Sequence, residues 1–206
     1  MGPPIYIMKI ALIYIARTGS TSLLKYFAKL KPNYVCYNEP WFPWAKKNIH
    51  TENTEYNELI KNDNLFIKST LTHLPCSLET LISDFDTVIF LIRKDLKSQI
   101  ESHILVNKEM SYLNTTKRKY NIHNITESEI EHYSEITNNH IQKIKTTSNT
   151  YNVPLFYYED LYYGDFQPIF DELGIVYNKE YYDEYLNISN KYRIGNMDIK
   201  NHKTLI

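Results

Sequence analysis

Short apolar runs alternate with amphipathic stretches along this chain. The first run, Ile10-Ala11-Leu12-Ile13-Tyr14-Ile15-Ala16, ends at the polar, Gly-containing segment Arg17-Thr18-Gly19-Ser20-Thr21-Ser22. That is the pattern of a buried strand closed by a tight loop. Leu23, Leu24, Phe27 and Leu30 then recur at helical spacing, so the opening unit reads strand, loop, helix. Apolar runs at 34–37, 65–68, 87–92 and 154–158 predict four more strands. Helices are predicted near 54–61, 77–84, 95–110, 127–148, 166–173 and 179–187, with a Pro-broken aromatic loop over 41–50 and a polar loop over 111–125. Strands alternating with helices predict a three-layer α/β fold, a central parallel sheet of about five strands with helices on both faces. Ligands of such sheets bind at the carboxyl ends of the strands. Arg17, Glu39, Lys68 and Arg93 all fall at or just after predicted strand ends, so one fold would gather them.

With 206 residues, 43% of them hydrophobic, the chain is sized for a single domain, taken as 1–206, with a sizeable core. A formal net charge of −1 leaves no basic surplus for a nucleic-acid binder. The two cysteines, Cys36 and Cys76, are too few for a disulfide framework and suit a reducing, cytoplasmic setting. No apolar run reaches the length of a membrane span. Residues 10–16 are short for a signal-peptide core and run straight into Arg17, so they are read as the first core strand. No His, Cys and Asp set falls at metal-ligand spacing, and no metal is expected.

The first loop asks for an anion. A strand–loop–helix turn aims several backbone N–H groups and the positive end of a helix dipole at one spot. Arg17 adds a charge there, and Ser20, Thr21 and Ser22 add hydroxyl donors. A nucleoside-triphosphatase loop would read GxxxxGK followed by Ser or Thr, with the Lys on the phosphates and the hydroxyl on magnesium. Here that Lys is missing, and Arg17 stands before the Gly instead. A second candidate anion site is Ile92-Arg93-Lys94-Asp95, a basic pair at a strand end, followed by Ser98 and Ser102 on one helix face. Two further segments stand out: Tyr157-Tyr158-Glu159-Asp160-Leu161, and the tail Arg193-Ile194-Gly195-Asn196-Met197-Asp198-Ile199-Lys200-Asn201-His202.

These four segments, in this order, resemble the sulfotransferases that use 3′-phosphoadenosine 5′-phosphosulfate (PAPS). Residues 17–21 resemble their 5′-phosphosulfate loop, and 92–102 the segment that holds the 3′-phosphate, with Arg93, Lys94 assisting, and Ser102 as the matching residues. The tail resembles the RKGxxGDWKNH element of cytosolic sulfotransferases, one residue shorter and without the Trp, so Arg193 and Gly195 inherit roles at the 3′-phosphate. Residues 157–161 look like the family's YEDL segment, which makes Tyr158 the adenine contact.

The resemblance implies a P-loop NTPase-like sulfotransferase fold. It also implies in-line, metal-independent transfer of a sulfuryl group from PAPS to a hydroxyl or amine of a carbohydrate or small-molecule acceptor. Arg17, with Thr18, Gly19, Ser20, Thr21 and Ser22, then cradles the 5′-phosphate, and Lys68 resembles a family Lys that reaches the sulfuryl group. Two bases stay open. Glu39 lies 22 positions after Arg17, where tyrosylprotein and some bacterial carbohydrate sulfotransferases place a catalytic Glu. His73 is the other, because Lys68-Ser69-Thr70-Leu71-Thr72-His73-Leu74-Pro75 looks like the cytosolic KTHLP with three residues inserted. Ser22 stands where many relatives carry an adenine-stacking Trp, so Phe66 or an aromatic from 41–44 is expected to substitute. Trp41, Phe42 and Trp44 also suit a sugar or aromatic acceptor. The competing readings are a small-molecule P-loop kinase and a non-catalytic relative that binds adenosine bisphosphate or a glycan.

Overall fold

The structure, a computed structural model, describes residues 8–16, 18, 20–41, 55–113, 125–180, 182 and 183. Five strands, β1 (Lys9–Tyr14), β2 (Val35–Asn38), β3 (Leu65–Thr70), β4 (Thr87–Ile92) and β5 (Leu155–Tyr157), form one sheet. The spatial order is β2-β3-β1-β4-β5 and every pairing is parallel. Around it lie α1 (Ser20–Leu30), α2 (Tyr56–Leu59), α3 (Leu78–Asp84), α4 (Leu96–Leu113), α5 (Glu127–Tyr151), α6 (Tyr158–Tyr162) and α7 (Gln167–Glu172). A 3-10 turn, Leu71–His73, follows β3 directly. The three-layer α/β architecture expected from the alternation is the one observed.

The period-2 alternation of strand side chains splits the core in two. Ile10, Leu12 and Tyr14 of β1 face α1 and α7, where they meet Leu23, Phe27, Ile169 and Phe170. Ala11 and Ile13 face α2, α3 and α5, where they meet Leu59, Leu81, Ile141 and Ile144. Residues Ile10 to Ile13 have no solvent exposure, which is why β1 reads as an unbroken apolar run. Crossovers of a single hand, as parallel sheets favour, place helices in two layers. The β1–α1–β2 connection runs toward one edge, and the connections through α3 and through α4 and α5 run toward the other. The direction reverses between β1 and β4, which is the switch point where α/β sheets open a ligand crevice. Ile15-Ala16 after β1 and Arg93-Lys94-Asp95 after β4 lie at that switch point.

Several boundaries shift by a few residues from expectation, and three of the shifts have a clear local reason. β3 continues to Thr70, because Ser69 and Thr70 pair with Ile13 and Tyr14, so Lys68 lies inside the strand and not at its end. α4 continues past Met110 to Leu113, since no Gly or Pro stands there to stop it. Tyr158 opens α6 instead of closing β5, which puts Glu159 and Asp160 in the first helical turn, where the dipole favours acids. Among the described residues no helix is long and apolar enough to cross a membrane.

Candidate active site

Lys68 is the odd member of β3. Alternation sends it to the same face as Phe66, toward α1, and leaves it 1% exposed. A buried ammonium needs a partner for each of its three N–H groups. Lys68 Nζ donates to Thr21 Oγ1 at 2.8 Å, Asn38 Oδ1 at 2.6 Å and Glu39 Oε1 at 3.3 Å. It also lies 4.7 Å from the centroid of the Tyr14 ring, within cation–π range. These partners come from the first turn of α1, the end of β2 and the last position of β1, so one side chain knits three elements at the carboxyl edge of the sheet.

The sheet register makes this possible. Asn38 and Lys68 are paired across β2 and β3, and the Glu39 backbone N–H donates to the Lys68 carbonyl at 2.7 Å. Glu39 has φ +55, a left-handed conformation that costs a non-glycine residue about 1–2 kcal/mol. That turn ends β2 and leaves the Glu39 carboxylate on Lys68 and on the Tyr14 hydroxyl, which donates a hydrogen bond to Oε1. Burial lowers Lys68 from its ordinary value to about 8, with the Glu39 charge pulling the other way. His73, half-buried in the 3-10 turn, shares a 2.6 Å hydrogen bond between Nδ1 and Thr70 Oγ1. Burial pushes its imidazole below the ordinary 6.5, and the Glu39 charge opposes that push. The fold therefore brings Glu39, His73, Lys68 and Thr21 into one neighbourhood.

Next to this cluster, Thr18 and Ser20 are 0% and 2% exposed. Gln99 of α4, 1% exposed, donates from Nε2 to the Ala16 carbonyl at 2.8 Å and ties α4 to the loop after β1. Thr18 Oγ1 and Gln99 Oε1 are buried with no hydrogen-bond partner among the described residues, which is unusual for buried polar atoms. Ser22 lies in α1. Arg17, Gly19, Arg193 and Gly195 fall outside the described residues, as do Phe42 and Trp44.

The start of α4 is organised by acids of the chain itself. Glu159 accepts from Arg93 Nε at 3.2 Å, from the Lys94 backbone N–H at 2.8 Å and from the Asp95 backbone N–H at 3.2 Å. Lys94 Nζ pairs with Asp160. Asp95 accepts the Ser98 backbone N–H at 3.0 Å, and the Ser98 hydroxyl and N–H hold its carboxyl below the usual range. The amides that an incoming phosphate would use are thus taken. Arg93 retains its two η nitrogens, which make no hydrogen bond among the described residues, and its guanidinium lies 4.6 Å over the Tyr158 ring. Tyr158 also stacks on Tyr162, with ring centroids 4.3 Å apart and planes 25° from parallel. Tyr163 meets the same ring nearly perpendicular, with centroids 6.1 Å apart, so Tyr158 packs against three side chains of its own chain. Ser102 is half-buried on α4.

Phe66 does not serve as an adenine platform. It is 0% exposed and packs edge-on against Phe27 at 4.4 Å, because β3 is covered on both faces. Trp41 is half-buried, 5.8 Å from Tyr56, in the cluster on the α2 side. A hollow of about 360 Å³, lined by Arg93, Lys94 and Lys145 over Ile92, Ile141 and Tyr157, shares no residue with the Lys68 cluster. The sequence reading missed Tyr14, Asn38, Gln99 and Glu159. The one local signal was a polar tip, Tyr14, closing an otherwise aliphatic strand. No family model and no curated protein matches the chain. Among the described residues no group of three or more His, Cys, Asp and Glu is placed to hold a metal ion.

Proposed function

We propose that the protein is a PAPS-dependent sulfotransferase acting on a hydroxyl or amine of a carbohydrate or small-molecule acceptor. The observation that carries this reading is the buried Lys68, which joins Thr21 at the start of the anion-loop helix to Glu39 at the end of β2. A cation and a candidate base are thereby fixed beside a loop suited to phosphate, at the carboxyl edge of a parallel sheet. The colinear order of the four segments that resemble sulfotransferases supports it.

In this reading Arg17 and the amides of Gly19 to Ser22 bind the leaving 5′-phosphate, where charge accumulates. The acceptor oxygen or nitrogen attacks sulfur in line, the bond from sulfur to the phosphate oxygen breaks, and Glu39 takes the acceptor proton. Lys68 supplies positive charge at the transferring group. All three of its N–H groups are engaged, so contact with a sulfuryl oxygen requires exchange of the bond to Thr21. Arg93, Ser102, Arg193 and Gly195 hold the 3′-phosphate, and Tyr158 borders the adenine. A cytoplasmic location fits the two free cysteines.

Calorimetric titration with adenosine 3′,5′-bisphosphate, without magnesium and with ATP for comparison, tests the reading. Micromolar or tighter binding that prefers the bisphosphate is expected. Preference for magnesium-ATP would mean a kinase, and no binding would sink the nucleotide site. The same titration should show Ser102→Ala and Arg193→Ala each weakening the bisphosphate by about 1–3 kcal/mol, the size of a charge-assisted hydrogen bond. Unchanged affinity in both variants would reject their assignment to the 3′-phosphate.

A further inference from the structure

Glu39 is 24% exposed and closes β2 in a left-handed turn, a position from which a carboxylate could swing freely into solvent. It does not. Tyr14 and Lys68 both hold Oε1, the phenol through its O–H and the ammonium through an N–H at 3.3 Å. Among the described residues no group donates to Oε2. Tyr14 is 4% exposed, so its ring is fixed by packing and its hydroxyl cannot be carried elsewhere by rotation of the side chain. The same ring presents its face to Lys68 Nζ at 4.7 Å. One aromatic side chain therefore touches both members of the ion pair, at its tip and at its face.

We propose that Tyr14 is the positioning residue of this site, its hydroxyl anchoring Glu39 Oε1 and its ring seating the Lys68 ammonium, so that Oε2 is the oxygen left to receive a proton. Read with the sulfotransferase assignment, on which its catalytic meaning rests, Tyr14 turns a mobile loop carboxylate into a base with one defined proton-accepting atom. A hydrogen bond donated to a carboxylate favours its ionised form. A preorganised pair loses less on reaching the transition state than one that must first be ordered. Neither effect requires Tyr14 to touch a substrate.

The decisive measurement is the carbon-13 NMR resonance of the Glu39 side-chain carboxyl at pH 7 in the full chain, assigned with Glu39→Gln, together with its deuterium isotope shift, which reports a hydrogen bond donated to that carboxyl. In Tyr14→Phe, which keeps the ring and removes the hydroxyl, the resonance is expected to move and the isotope shift through the phenol to disappear. An unmoved resonance with its isotope shift intact overturns the proposal. Should Tyr14→Phe not fold, 3-fluorotyrosine placed at position 14 preserves the shape and strengthens the donor. The isotope shift must then grow, and its failure to do so overturns the proposal equally. Bisphosphate titrations on the same samples keep the two ideas separate. Loss of nucleotide binding in the unaltered protein removes the sulfotransferase reading while the NMR signature still decides the role of Tyr14. Normal binding with an unmoved resonance removes Tyr14 alone.

Discussion

Replacing Glu39 by Gln is expected to slow sulfuryl transfer by about 10²–10⁴-fold, the range for loss of a general base, while bisphosphate affinity is kept or improves. The amide fills the same volume and still accepts from Tyr14 and Lys68, but it cannot take a proton. Removing a negative charge beside an anion site does not weaken anion binding, so affinity and turnover should part company. His73→Ala is the control that gives this result its meaning. Glu39 lies on the Lys68 ammonium, which is itself bonded to Thr21 at the start of the anion-loop helix, whereas the hydrogen bond that places the His73 ring runs to Thr70, beside its own 3-10 turn. His73→Ala is therefore expected to cost less than about tenfold, far below the loss of a general base. Single-turnover transfer from PAPS, with an acceptor found by screening, measures both variants. If the large loss follows His73 and Glu39→Gln stays active, the base is His73 and the cluster around Lys68 serves another purpose.

How legible this site was depends on the range of the interaction that forms it. The strands could be read directly, because Ile10 to Ile13 and Val88 to Ile92 are buried on both faces and must be apolar throughout. The loop after β1 and the partners Glu39 and His73 could be picked out by residue type and order. Burial of Lys68 could not. Its partners Asn38, Glu39 and Thr21 lie 30, 29 and 47 positions away, and only the register of β2 against β3 brings them in. Glu159 is a similar case, since its bonds to Arg93 and the Lys94 amide span 66 and 65 positions. Seen locally it is one acid of a Tyr-Glu-Asp-Leu segment. In the fold it closes the N-terminus of α4 and fixes the position of Arg93. Phe66 was the opposite failure: a chemically suitable aromatic, but one that strand alternation places in the core beside Phe27. Residue type suggested candidates, and the topology decided which of them meet.

Lys68→Met should be the other severe variant, with transfer at pH 7 falling by about 10²–10³-fold, as when a preorganised charge-stabilising donor is removed. Its pH dependence makes the prediction specific. Burial holds the Lys68 ammonium at about 8, against the opposing pull of Glu39 and with a further push down from Lys25 of α1. Below pH 8 the ammonium is present. As pH rises through 8 it is lost, and transfer by the unaltered protein should decline by about tenfold per pH unit once deprotonation limits the rate. Stability should move the other way. The unfolded chain holds this proton up to the ordinary value of 10.5, so between 8 and 10.5 the unfolded state binds more protons than the folded one, and stability rises with pH. The full gain across that window is about 3 kcal/mol. Urea unfolding of the protein and of Lys68→Met at pH 7.5, 8.5 and 9.5 isolates this contribution from every other group, which the two proteins share. The stability of the unaltered protein relative to Lys68→Met should rise with pH as their transfer rates converge. Parallel stability curves would mean that Lys68 keeps its proton throughout, and the alkaline decline in transfer would then have to come from another group.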